Sequence, residues 1–533
     1  MKTKIWRCFS AIALLVVLAI PVESAAQKSP KPAQHHRYRF VDVSTFGGPN
    51  VVLATEPTTQ ILSNAGAAVG GADTSTLNPN YPNINPYIGG DAYIGHAFLR
   101  QRDDLTDLGT LPGGFNSSAV SINEKGVVAG ISEDGETDPF LGFPAGIAVL
   151  WKDGNIVNLG TLEGGYESIA NAVNNLDQVT GPALNTVPDP YSFLGTTQTR
   201  GFFWANGVMA DIGTLGGPDA FALYINCHGQ VAGFSYTNST PNPTTGIPTV
   251  DPFLWDSRTM TMLDLRTLGG VYGVTNALNE KGEVVGSSDL DGDQAYHPFL
   301  WHEGTLTDLG TLGGTYADAN WINDAGDVVG WANLKGDQAN HAFLWRKGVM
   351  TDLGRLKGLP CSNAHAINSS GQVVGWSDNC SAQNERAFLW EDGQMTDLNV
   401  FVPPNSGVVL GEADFINDHG EIIGYAFLQN GDKHAYLLVP CDQDQGEGCQ
   451  GETANAGGGA SASGTASFFR NPAAASPGSV TPIERMAALR ARLGRRYLIP
   501  SLAQANSNQL QRRCSESRQE VPRMTNVALE EAS

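Results

Sequence analysis

A short series of motifs recurs in fixed order along this chain, and no other feature constrains the fold as tightly. One copy reads His-Ala-Phe-Leu-Trp (341–345), Met-Thr-Asp-Leu-Gly (350–354), Ala-Ile-Asn-Ser-Ser-Gly (366–371) and Val-Val-Gly-Trp (373–376). The copy before it reads His-Pro-Phe-Leu-Trp (297–301), Leu-Thr-Asp-Leu-Gly-Thr-Leu-Gly-Gly (306–314), Ile-Asn-Asp-Ala-Gly (322–326) and Val-Val-Gly-Trp (328–331). Self-similarity at a period of about 20–50 residues marks a solenoid, a propeller or another array. It sets an architecture and leaves the chemistry open.

Each copy contains four strand-like pieces: A around Phe-Leu-Trp, B at Thr-Asp-Leu-Gly, C ending in Ile-Asn, and D at Val-Val-Gly. A and B are joined by turns such as Asp153-Gly154 and Asp392-Gly393, a hairpin signal. C and D are joined by Asn-x-x-Gly, as in Asn123 to Gly126 and Asn279 to Gly282; Asn and Gly tolerate the left-handed backbone that tight turns need. Two hairpins make one four-stranded sheet, the unit of a β-propeller. The piece C Asn falls at 64, 123, 174, 226, 279, 323, 368 and 417. The first unit, Tyr38 to Ala72, lacks piece A, and His434 to Leu438 is an orphan piece A. Seven internal units plus one shared by the two ends predict an all-β, eight-bladed β-propeller closed by strands from both chain ends, spanning 38–440. Closure removes the exposed sheet edges that invite aggregation, whereas a linear solenoid would use atypical capping repeats.

The order Phe-Leu-Trp preceded by His-Ala, then Asp-Leu-Gly-Thr-Leu-Gly-Gly, then Ile-Asn-x-x-Gly-x-Val-Val-Gly resembles the HAF-repeat family of exported bacterial proteins over roughly 38–440. The resemblance implies a repeated β architecture and a place outside the cytoplasm. It carries over no activity and no catalytic residue. Two copies depart from the pattern, with Ile-Ala-Val-Leu-Trp (147–151) and Asn-Leu-Asp-Gln (175–178) in one, and Phe-Val-Pro-Pro (401–404) in the other.

Residues 1–26 read as a signal peptide. Lys2, Lys4 and Arg7 precede an apolar run from Phe9 to Ile20, and Ser24-Ala25-Ala26 supplies small residues for cleavage after Ala26. The run is too short to span a bilayer, and no later segment is long and apolar enough. A secreted, periplasmic or cell-surface location is therefore expected, with 27–37 as a linker to the array. The formal charge of −22 argues against nucleic acid, which demands clustered Lys and Arg. Six cysteines follow the leader, and an exported chain keeps disulfides. The economical pairs are Cys361 with Cys380 and Cys441 with Cys449; Cys227 and Cys514 are left over.

Recurring polar and aromatic residues are read as structural. His96, His297, His341 and His434 each open a different unit, too far apart in a ring to share one ion. The Asp of piece B, from Asp107 to Asp397, bonds nearby backbone. The Trp residues between Trp151 and Trp390, one per blade at a fixed position, are inter-blade core. Asp289, Asp291 and Asp293 have the alternate spacing of a calcium loop, but Gly-Asp recurs at 336–337 and 431–432 without the other acids, so a repeat turn is the first expectation and calcium the alternative. No other cofactor is expected. Nucleophile-elbow, zinc-helix and phosphate-loop motifs are absent.

Four long D-to-A connections, 73–95, 133–146, 184–200 and 236–250, should emerge on one face of adjacent units. They carry Tyr81, Tyr87, Tyr93, Tyr191, Phe193 and Tyr236, which predict a binding face on loops held by a rigid scaffold. Residues 441–480 read as a flexible Gly/Ala/Ser-rich linker, and 481–533 as a basic, partly helical tail with Thr481 capping Pro482–Leu493. The leading expectation is a monomeric, non-catalytic binding module for an extracellular protein or glycan. The alternatives are a polysaccharide hydrolase or lyase with a site in the central cleft, and a structural envelope component.

Overall fold

The structure, a computed structural model, describes residues 37–441 and 449–451, apart from 55–58, 89–91, 163, 195–196, 244–245 and 382. The expected leader, the body of the linker and the tail lie outside the described residues. Within them the chain is all-β, a β-propeller-like array of sheets broken by a single 3-10 turn at Leu398–Phe401.

One unit illustrates the rest. Strands Gly313–Ile322, Val328–Leu334, Asn340–Arg346 and Val349–Gly354 pair antiparallel in chain order, so the pieces lie C, D, A, B across the sheet. The A–B turn is made by Lys347 and Gly348, both at positive φ (50° and 85°), the two-residue turn whose twist matches paired strands. At the C–D turn, the Asn323 side chain accepts hydrogen bonds from the Ala325 and Asp327 amides, at 3.0 Å each. Gly330 of Val-Val-Gly has no alternative, because a Cβ there would collide with the Asp318 carbonyl across the ladder. The Phe of piece A (Phe98, Phe202, Phe253, Phe299, Phe343, Phe388) is fully buried in each unit that has it. Burying a Phe side chain contributes roughly 1.5–3 kcal/mol, so a motif that repeats the Phe repeats the core.

Neighbouring units are joined by a ladder of the same Asn. Its Nδ2 donates to the carbonyl of the next unit's turn: Asn123 to Asn174 (2.8 Å), Asn174 to Asn226 (2.9 Å), Asn226 to Asn279 (3.2 Å) and Asn279 to Asn323 (3.1 Å). Asn323 to Asn368 and Asn368 to Asn417 follow at 3.0 Å each. Asn417 then donates to the Ser63 carbonyl at 2.9 Å, 354 residues away in sequence. The turn position of the first unit is thus Ser63, not Asn64, since the Ala67 amide bonds the Ser63 hydroxyl and Gly66 N donates to the Ser63 carbonyl.

The two ends of the array lie side by side. Strand Arg37–Asp42 pairs antiparallel with Lys433–Pro440, from Tyr38↔Pro440 to Asp42↔Tyr436. The N-terminal strand is therefore the outer, piece B strand of the unit begun by Val409–Ile416 and Ile422–Phe427. His434 Nδ1 lies 2.9 and 3.1 Å from the Asp42 carboxylate oxygens.

That last contact explains the recurrent His and Asp. His96–Asp107, His297–Asp308 and His341–Asp352 make the same cross-strand A–B pair at 2.8–2.9 Å, and Arg200–Asp211 and Arg386–Asp397 replace the imidazole by a guanidinium. The Asp also accepts the Gly amide two residues on, as Gly109 N to Asp107 Oδ1 at 2.8 Å. Cys361 and Cys380 form the expected disulfide. Cys441 is disulfide-bonded, while the side chain of Cys449 lies outside the described residues. Cys227 is a free thiol, and Cys514 lies outside the described residues. In the run 289–293, Asp293 accepts the Val271 amide at 2.9 Å as Asp337 accepts the Thr315 amide at 2.7 Å, which is the repeat turn. Asp289 is buried, Asp291 is exposed, and among the described residues no three His, Cys, Asp or Glu side chains converge.

Candidate binding face

The D strands end, and the A strands begin, on the side of the array opposite the Asn ladder. The connections between them interlock. Asn83 Nδ2 in the first donates to the Gly142 carbonyl in the second (2.9 Å), and Asn85 Nδ2 donates to the Pro144 carbonyl and to Glu167. Tyr87 reaches the third connection, its hydroxyl donating to the Leu194 carbonyl at 2.9 Å. Tyr236 of the fourth donates to the Tyr191 carbonyl at 2.7 Å, and its ring stacks on Phe193 at 4.4 Å.

This packing corrects part of the sequence reading. Tyr87, Phe193 and Tyr236 are buried and join one apolar cluster with Ile88, Phe221 and Phe234. They hold the loops to each other, so replacing Tyr87 and Tyr236 by Ala would disrupt the face rather than leave it folded. Tyr93 and Tyr191 are half-buried, and Tyr81 is exposed.

Two buried acids staple the same loops. Glu167 accepts the Gly146 amide and Asn85 Nδ2, both at 3.1 Å. Burial raises its carboxyl well above the ordinary range, and the charge of Asp138 adds to this. Asp219 accepts the Phe193 and Thr199 amides at 2.8 and 3.0 Å, and burial again raises it well above the ordinary range. Burial thus favours the uncharged form of both carboxyls, whose oxygens give the loops fixed acceptors.

What the face presents to solvent is a different set of side chains. Leu77, Tyr81, Phe115, Phe140, Tyr166 and Val187 are exposed to between 39% (Tyr166) and 65% (Leu77). All lie on D-to-A or B-to-C connections of three successive units. Phe140 and Tyr166 come from neighbouring units, with ring centroids 6.1 Å apart. Phe115 sits beside the first unit, where Asn116 Oδ1 accepts the Gly95 amide at 3.1 Å. Phe115, Phe140 and Tyr166 were not legible as a group in the sequence. The signal was there in part, because Phe115 and Tyr166 follow Gly-Gly where later copies have Val271 and Thr315.

The inner strands fill the space between units. Trp321 packs against clusters from several parts of the array and meets Phe415 edge-on at 5.4 Å, although the Asn368 unit separates them along the ladder. Tyr87 and Ile88 line a small opening together with Leu53, Ala54 and Val120. A second opening, a groove of about 590 Å³ on the ladder side, is lined by His228, Arg258, Glu280, Lys281, His302 and Glu303. His228 lies 3.7 Å from Glu280 there, while Arg258 pairs with Asp256 beside the groove.

No family model matches the chain, and no curated protein does. Among solved structures it is similar to the β-propeller domain of the trilobed protease from Pyrococcus furiosus, at 8% identity and a TM-score of 0.40, covering 68% of this chain and 99% of that one. It is similar to acylaminoacyl peptidase from Pyrococcus horikoshii at 12% identity and a TM-score of 0.38, over 67% of this chain and 53% of that one. Oligogalacturonate lyase from Vibrio parahaemolyticus follows at 9% identity and a TM-score of 0.34, over 75% and 93%. Likeness at this level carries no argument about activity.

Proposed function

We propose that this chain is an exported interaction module: an eight-bladed ring, closed by its first strand against its last, that presents the loop face of three successive blades to a partner. Closure is supported by the Asn ladder, which runs through seven turns and returns to Ser63, and by the pairing of Arg37–Asp42 with Lys433–Pro440. The resemblance to HAF repeats and the leader at 1–26 support export. The observation that carries the binding reading is the exposed apolar group around Phe140 and Tyr166. Contiguous exposed apolar surface on a folded array marks an interaction site. The loops beneath it are fixed by Tyr87, Tyr236, Glu167 and Asp219, so the surface is pre-organised, which lowers the entropic cost of binding.

The test is a protein and glycan array probed with the purified mature chain and with Phe140→Ser/Tyr166→Ser. The expected outcome is at least one ligand whose affinity falls roughly tenfold or more in the variant, the cost of losing central aromatic anchors, with an unchanged melting temperature. A ligand bound equally well by both would move the site elsewhere on the molecule.

A further inference from the structure

The loop face and the sequence beyond Gly451 are chemically complementary. The connections that build the face, 73–95, 110–117, 133–146, 161–168 and 184–200, contain nine Asp and Glu residues against a single cation, Arg200, which is paired with Asp211. Of the seven that are described, Asp73, Glu133, Asp138, Glu167 and Asp189 are buried, and Glu136 (exposed) and Asp134 (half-exposed) present charge to solvent on the connection that carries Phe140. A partner that matches this surface is apolar where it meets Phe140 and Tyr166 and cationic where it meets Glu136 and Asp134.

The chain carries such a segment itself. Residues 481–496, outside the described residues, contain Arg485, Arg490, Arg492, Arg495 and Arg496 against the single acid Glu484. Met486, Leu489 and Leu493 fall three and four residues apart, the spacing that aligns one apolar stripe on a helix, with arginines on either side of it. An amphipathic segment of this kind seats its stripe on an apolar surface through anchors at that spacing. The last described strand, Cys449–Gly451, pairs with Arg37–Arg39 at the edge of the unit next to the first one. The 29 residues from 452 to 480 separate it from Thr481. An extended chain of that length would reach roughly 100 Å.

We propose that residues 481–496 dock in cis on the surface formed by Leu77, Tyr81, Phe115, Phe140 and Tyr166, and that an external partner displaces them. This rests on the reading of that face as a binding surface. The covalent connection favours the cis occupant, since tethering a segment to its site gives an effective concentration of about the mM range. An intrinsic dissociation constant on the order of 0.1 mM would then leave the segment about tenfold more often bound than free.

The experiment follows tryptic cleavage after Arg490 and Arg492 in the full chain by mass spectrometry, with a synthetic 479–497 peptide as the free reference. Cleavage in the chain should be on the order of tenfold slower than in the peptide, at a rate independent of protein concentration. Protection should disappear in Phe140→Ser/Tyr166→Ser. It should also disappear in Met486→Ser/Leu489→Ser, which leaves the array untouched. Equal rates in the chain and the peptide would overturn the proposal, and so would protection that survives both variants. Protection lost on dilution would assign the segment to a second copy and overturn the cis assignment. Free cleavage in a protein whose array binding still depends on Phe140 and Tyr166 would remove this inference and leave the function reading in place.

Discussion

At the scale of single residues, the repeat is most informative where one copy breaks it. Five units place His or Arg on strand A opposite the Asp of strand B, the fifth pair being Arg386–Asp397; the closing unit does the same with His434 and Asp42. In the unit of Val250–Asp256 the cation is replaced by Asp251, which faces Asp264. Burial and the Asp264 charge push the Asp251 carboxyl from 3.8 up to about 7, with Arg266 opposing. A carboxyl raised in this way contributes stability that is fully present below pH 3.8 and is lost as pH rises through about 7. Asp251→His restores the pair made elsewhere. It should stabilise the protein by about 0.5–1 kcal/mol near neutral pH, the range of a good partly exposed pair. The gap from wild type should widen between pH 4 and pH 7 in thermal melts. A variant less stable than wild type at pH 7 would mean that the acid pair has a role of its own.

At the scale of the element, the C–D turn does two jobs with one side chain. Asn323 Oδ1 caps its own turn by accepting the Ala325 and Asp327 amides, and Nδ2 reaches the Asn368 carbonyl of the next unit. The first seam manages with less. Ser63 caps its turn through the Ala67 amide alone, and Glu124 bridges the gap by accepting from Asn64 N and Gln60 Nε2. Asn323→Ala removes three hydrogen bonds, two of them to buried groups. At about 1 kcal/mol net per bond, plus the penalty for an orphaned buried amide, the loss should be about 2–4 kcal/mol in denaturant titration. Asn323→Asp keeps the acceptor but loses the donor, so it should fall between the two. If Ala cost no more than Asp, the cap would contribute nothing and the ladder bond would carry the whole effect.

At the scale of the molecule, two distant ends must find each other. The seam between Arg37–Asp42 and Lys433–Pro440 includes His434 against Asp42. The hydrogen bond from His434 to Asp42 outweighs burial and raises the imidazole above its ordinary 6.5. Burial pushes the Asp42 carboxyl up, but the His434 and Ser44 hydrogen bonds and the charges of His434 and Arg100 outweigh it and hold it below 3.8. The raised His contributes stability fully present below pH 6.5 and lost as pH climbs through its folded value. The lowered Asp contributes stability present above pH 3.8 and lost as pH falls through its folded value. The difference in melting temperature between wild type and His434→Gln should therefore peak between those two pH values and shrink on either side. A difference that grows above pH 8 would exclude this pair as the source.

The sequence by itself determined the repeat, the four strands of each unit, the turns between them and the Cys361–Cys380 bridge. These are local: a positive φ at Gly348, an Asn cap at 323, a buried Phe every unit and a span of 19 residues between thiols are all settled within one repeat. The Asn64 reading failed by one residue because Ser63 performs the capping that Asn performs elsewhere. The tertiary structure alone decided which aromatics face water. Tyr87 and Leu194 are 107 residues apart and Tyr236 and Tyr191 are 45 apart, so their burial depends on loops of different units packing together. The same packing leaves Phe115, Phe140 and Tyr166 exposed. Exposure belongs to the assembled surface, because a side chain is buried or free according to what arrives beside it from elsewhere in the chain.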